Sequence, residues 1–147
     1  MERGSRQQTY IQASPAAIWQ LVGDPNRHPD WWPDVLEVEC ADIRQGCRYR
    51  GVVKGFFGSS EEHELLLERL DDCQEVSIFC DGTGVTTRFA ITEAQGGTFV
   101  EGHFVIEPNS IGMTMVGAVA GRRVMRSWLE RSLANLKQVA ERAGAPP

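Results

Sequence analysis

Two side chains able to move a proton, Tyr49 and His63, stand where strand alternation turns them toward the apolar side. Tyr49 shares that side with Gly51 and Val53, against Arg48, Arg50 and Lys54. His63 shares it with Leu65 and Leu67, against Glu64 and Glu68. A phenol and an imidazole on an apolar wall can orient a carbonyl or hydroxyl, or serve as acid and base. The ordinary alternative is a buried pair satisfied by each other, by backbone or by water. His28 and His103 read as surface residues. No Asp or Glu is expected inside, which leaves a carboxylate mechanism little support.

The other reactive groups point away from metal chemistry. Cys40, Cys47, Cys73 and Cys80 form two Cys-x6-Cys pairs, whereas zinc frameworks place paired ligands about two to four residues apart. Four separate, mostly buried thiols are expected, with neither metal nor cofactor. A net charge of -5 and a pI near 5.2 speak against nucleic acid, because phosphate binding needs a basic surface. No apolar run follows Met1, and Ile111 to Ala120 is too short to span a bilayer. A cytoplasmic protein without stable membrane insertion is expected, as a monomer or homodimer.

The elements that must carry these side chains are legible from periodicity. The 147 residues suit one domain, 1–147. Thr9, Ile11 and Ala13 alternate as a strand. Ser14-Pro15 and Asp24-Pro25 are each an N-cap followed by proline at the first helical position. They predict two short helices, the second limited by Pro29. From Leu36 the period is two for some seventy residues. Leu36, Val38 and Cys40 form one inward set; Val76, Ile78 and Cys80 form another. Thr87, Phe89 and Ile91 follow, and then Val100, Gly102, Phe104 and Ile106. Short polar turns between the runs make the strands antiparallel. A charged face opposite an apolar one marks a sheet half exposed to water.

Beyond Pro108 the period changes. Met125, Trp128, Leu129, Leu133, Leu136 and Ala140 recur at helical spacing, with Arg126, Glu130 and Lys137 opposite. These runs predict an α+β helix-grip fold: a curved seven-stranded antiparallel sheet around a long C-terminal helix, ordered β-α-α-β6-α. A helix is about 10 Å across with its side chains, narrower than such a sheet. Part of the apolar face should therefore stay uncovered.

The run Ile11-Gln12-Ala13-Ser14-Pro15-Ala16-Ala17-Ile18-Trp19, with Asp24-Pro25 and Pro29-Asp30-Trp31-Trp32-Pro33, resembles the opening of the START-like polyketide cyclase/dehydrase and lipid-transport (SRPBCC, Bet v 1-like) superfamily. Gly96-Gly97-Thr98, Glu107-Pro108 and the terminal helix with Leu129, Leu133 and Leu136 are similar to it as well. The resemblance covers nearly the whole chain and implies a helix-grip fold with a hydrophobic cavity. Members bind lipids, polyketides, hormones or quinones; some cyclise or dehydrate polyketides, and others bind protein partners. No invariant catalytic motif comes with it.

The expected cavity walls are Val38, Val53, Leu65, Leu67, Ile78, Phe89, Phe104 and Ile106, each also an ordinary core residue. Gly51 and Gly102, in mid-strand on the inward face, should leave space or let the sheet bend. Trp31 and Trp32 either close one end or anchor the short helices. Phe56 and Phe57, between glycines, either gate an opening or fold onto the core. Met113 and Val116, in a glycine-rich start to the last helix, would form the opposite lip. Arg122, Arg123 and Arg126 read as a solvated helix face, or as a contact for an anionic group or partner. Three functions follow: a binding or transport protein for a hydrophobic small molecule; a polyketide cyclase or dehydrase of the aromatase type using Tyr49 and His63; or a partner-binding module.

Overall fold

A computed structural model describes residues 3–54, 59–107 and 118–143, with backbone alone at 3 and 118–122. The expected Phe56, Phe57, Met113 and Val116 contributions lie outside the described residues, as does the Arg122 side chain. Strand β1 (Arg3–Ile11) leads into helix α1 (Pro15–Val22) and a 3-10 helix (Pro25–Asp30). Six strands follow: β2 (Val35–Glu39), β3 (Arg48–Lys54), β4 (Ser60–Asp71), β5 (Glu75–Cys80), β6 (Val85–Ala94) and β7 (Gly97–Ile106). The chain then forms helix α2 (Ala118–Ala143).

The seven strands make one sheet in the order β1-β7-β6-β5-β4-β3-β2. Every pairing is antiparallel, as the short turns require between consecutive strands. Both proline-led starts form as their chemistry dictates. Ala17 N–H donates to Ser14 Oγ at 3.1 Å, and Asn26 N–H donates to Asp24 Oδ1 at 2.9 Å. Each bond satisfies one of the unpaired amides of a first turn.

Two strands break their alternation. The register shifts between Val35 and Glu37 in β2 and between Leu67 and Arg69 in β4. One extra residue at each place bends the strand and reverses the facing of what lies beyond. Leu36, expected inward, is therefore exposed at 38% while Val35 is buried. Asn26 pins the end of β2: its Nδ2 donates to Cys40 O at 2.9 Å, and its Oδ1 accepts from Cys40 N–H at 3.0 Å.

Helix α2 lies along β1 and β7 rather than across the middle of the sheet. Lys137 Nζ donates to Tyr10 O at 2.6 Å, and Glu141 accepts from the Gln12 amide at 2.9 Å. These bonds fasten the helix to the end of β1. Met125, Leu129, Leu133, Leu136 and Ala140 bury the stripe read from the sequence. Among the described residues, no helix is long and apolar enough to cross a membrane.

Candidate ligand-binding site

The space between sheet and helix divides in two, because α2 covers only one side. Beneath the helix the inward face is filled. Trp31 and Trp32 stack with centroids 5.6 Å apart, and both meet the Phe89 ring edge-on at 5.3 and 5.4 Å. Gly102 leaves no hollow: the Leu129 side chain occupies the place of its missing β-carbon, with Phe89 beside it. At Gly51 the Leu65 side chain does the same. Both glycines permit close packing, which corrects the expectation that they open space.

On the uncovered side a cavity of about 80 Å³ remains. Val35 and Val38 of β2, Tyr49 and Val53 of β3, and Leu65 of β4 line it. The wall continues through Ile78 and Cys80 of β5, Val85 and Thr87 of β6, and Phe104 of β7, and Trp128 of α2 also borders it. Val35 and Val38, three apart, share this wall only because of the bulge at Leu36. His28 and Trp32 form one end; Asp34, Lys54 and Thr83 also border it.

Of the residues singled out in the sequence, Trp32, Val38, Tyr49, Val53, Leu65, Ile78 and Phe104 meet here. Trp31, Leu67, Phe89 and Ile106 are core, at 2% exposure or less. His63 is not among the described lining residues. Its ring packs over the Gly82 backbone, and its Nε2 bonds Glu61 at 2.8 Å. His63 is thus tied to Glu61 rather than to Tyr49, and the two do not meet in this cavity.

Tyr49 is the polar anomaly of the wall. It is 5% exposed, and its hydroxyl has no hydrogen-bond partner among the described residues. Burial pushes the phenol pKa far up, with the Cys40, Cys47 and Cys80 thiols adding to the effect. It therefore stays a neutral O–H, able to donate.

His28, expected at the surface, is 1% exposed. Its Nε2 donates to the Val22 carbonyl at 2.7 Å, and Trp31 Nε1 donates to the Leu21 carbonyl at 2.9 Å. These are carbonyls that the end of α1 leaves without helical partners. Since Nε2 carries the proton, Nδ1 is the unprotonated nitrogen of the neutral ring. Burial holds the His28 pKa down to about 4, against the opposing effects of the Val22 bond and the Asp24 charge. The signal was present in the sequence: a donor shortly after a helix end that offers no basic last turn.

Asp34 corrects the expectation of no inward carboxylate. Burial raises its pKa, opposed by Arg131, whose Nη2 lies 3.8 Å from Oδ1, and by Lys54. The thiols are not all separate: Cys40 and Cys47 are buried with their sulfurs 3.9 Å apart, and all four are free. Burial, with Cys47 alongside, pushes the Cys40 thiol to about 11, leaving it protonated and unreactive at neutral pH. Cys73 is exposed. On α2, Arg123 is exposed and Arg126 pairs with Glu130 at 3.0 Å.

A curved antiparallel sheet gripping one long helix, with an apolar cavity left between them, defines a helix-grip protein. The chain belongs to the polyketide cyclase/dehydrase and lipid transport family, whose model matches residues 4–141. No curated protein matched the sequence. Among solved structures, a START superfamily protein from Mycobacterium smegmatis is 17% identical, with 97% of this chain and 99% of that one covered and a TM-score of 0.74. A Staphylococcus aureus protein of unknown function is 16% identical over 98% and 96% of the two chains, also at 0.74. The di-domain ARO/CYC protein StfQ of the steffimycin biosynthetic pathway is 14% identical, covering 99% of this chain and 53% of its own, at 0.70. At these identities the likeness is one of fold.

Proposed function

We propose that the chain binds a small hydrophobic molecule in the cavity between β2–β7 and α2. The observation that carries this reading is a hollow walled by Val35, Val38, Val53, Leu65, Ile78 and Phe104 that none of the described side chains fills. Apolar walls with few polar groups are the usual makeup of small-molecule sites. The family's description, which includes lipid transport, and the START superfamily neighbour agree with a lipid-, polyketide- or quinone-like ligand.

The test is native mass spectrometry of the protein purified from its own host, followed by denaturation to release what it holds. A stoichiometric apolar molecule is expected. A protein that arrives empty, and takes up nothing from a mixture of fatty acids, quinones and aromatic polyketides, would overturn the reading.

Turnover by a cyclase or dehydrase is the second reading, and one observation favours it. Asp34 lines the same cavity as Tyr49, and its raised pKa suits a carboxyl that exchanges protons nearer neutrality. Incubation with a linear poly-β-ketone thioester should then give an aromatic product, and Asp34→Asn should lower its rate. An unchanged rate in that variant removes Asp34 from the chemistry.

A further inference from the structure

We propose that the Tyr49 phenol is the polar recognition element of the cavity, and that it selects ligands presenting an uncharged carbonyl-type oxygen. The inference rests on the binding reading above and adds the chemical class of the ligand's polar end.

The argument begins from the unpaired hydroxyl. A buried polar group without a partner carries a penalty that native folds rarely tolerate. Here the group is a phenol, a donor as well as an acceptor. Its titratable neighbours are Cys40, Cys47 and Cys80, and a thiol is a weak partner in either role. The strongest deficit is therefore the phenolic proton, which needs a good acceptor.

The surroundings narrow the choice of acceptor. Val38, Val53, Leu65, Ile78 and Phe104 share the wall with Tyr49 and offer no side-chain hydrogen bond. A ligand hydroxyl would satisfy Tyr49 but bring a proton of its own, which these five cannot accept and which would need a second partner among Asp34, Thr83, Thr87 or the His28 Nδ1 in the same lining. A carboxylate would bury a charge, while the bordering cation, Lys54, is itself exposed to solvent. A ketone, quinone or ester carbonyl brings an acceptor and nothing else. It is the group whose requirement Tyr49 meets by itself.

The experiment compares cyclohexanone, cyclohexanol and methylenecyclohexane, three rings of one shape, by protein-detected NMR titration. Each is titrated into the unaltered protein and into Tyr49→Phe, whose amide spectrum also reports its fold. The quantity read is a double ratio: the change in ketone Kd on substitution divided by the change for the hydrocarbon. A factor of about ten is expected for the ketone, the worth of one hydrogen bond in a dry site, with a smaller factor for the alcohol. A ketone factor near one, or an alcohol factor equal to the ketone's, overturns the inference while leaving hydrophobic binding intact. If none of the three binds either protein, the binding reading falls and this inference with it. An independent readout needs no variant: the carbonyl 13C signal of bound cyclohexanone should move downfield of its position in hexane. An unmoved signal also overturns the proposal.

Discussion

Leu129 of α2 occupies the space that a β-carbon on Gly102 of β7 would need. The missing side chain on β7 lets the helix pack close against the strand. Gly102→Ala should therefore overpack the contact and cost roughly 1–3 kcal/mol. Leu129→Ala alone should cost roughly 2–5 kcal/mol by leaving a void. Because the two sites share one volume, the double variant should lose less than the sum, measured from urea midpoints. Additive losses would show that the two side chains are not competing for space.

His28 makes stability depend on pH in a stated window. Its folded pKa, about 4, lies below the unfolded value of 6.5. A depressed value means that the folded state favours the neutral ring. The contribution is complete above about pH 6.5 and is lost as pH falls toward 4. One proton over that interval corresponds to roughly 3 kcal/mol. His28→Gln should flatten the pH dependence of the urea midpoint between those values. A variant with an undiminished slope would assign the loss to other groups.

The unpaired hydroxyl of Tyr49 should cost the empty protein stability. Tyr49→Phe keeps the ring and removes the orphan, so it should stabilise by about 1 kcal/mol. For a chain of this size that is about 3 °C in Tm, read by calorimetry without ligand. A lower Tm would mean that the hydroxyl is paired in the empty protein.

Asp34 should behave with the opposite sign to an ordinary ion-paired aspartate. Burial raises its folded pKa despite Arg131 and Lys54. The folded state thus favours the protonated carboxyl, and this contribution disappears as pH rises through the raised value. Asp34→Asn should be more stable than the parent at pH 7, with the difference vanishing near pH 3. Equal melting temperatures at pH 7 would show that Arg131 offsets the burial in full.

Asn26 joins the 3-10 helix to the end of β2 through two hydrogen bonds to the Cys40 backbone. Asn26→Ala leaves that partly buried amide and carbonyl unpaired and should cost roughly 1–3 kcal/mol. Faster hydrogen exchange at the Cys40 amide, with exchange in β6 and β7 slowed no less than before, would locate the loss at β2.

Much of this molecule was legible in one dimension. Ser14-Pro15 and Asp24-Pro25 start their helices because an acceptor side chain and a fixed φ act within a few residues. The alternation of Thr87, Phe89 and Ile91, and of Val100, Gly102, Phe104 and Ile106, named the buried face of β6 and β7 correctly. The stripe from Met125 to Ala140 named the buried face of α2. These are local properties, carried by a period of two or of 3.6 residues.

What the tertiary structure decided is everything that depends on which surfaces meet. A period of two names the inward face, but not which part of that face a helix covers. The packing of α2 along β1 and β7, and of Trp31 and Trp32 on Phe89, makes Phe89 and Ile106 core while Tyr49 and Ile78 border a cavity. The bulge at Leu36 turned that residue outward and Val35 inward, a one-residue slip that composition does not announce. His28 went inside because the carbonyl end of α1 needed a donor there. Gly102 looked like empty space, and Leu129 filled it. Periodicity is written along the chain, whereas volume is shared between segments far apart in it, so the faces were determined by the sequence and the cavity by the fold.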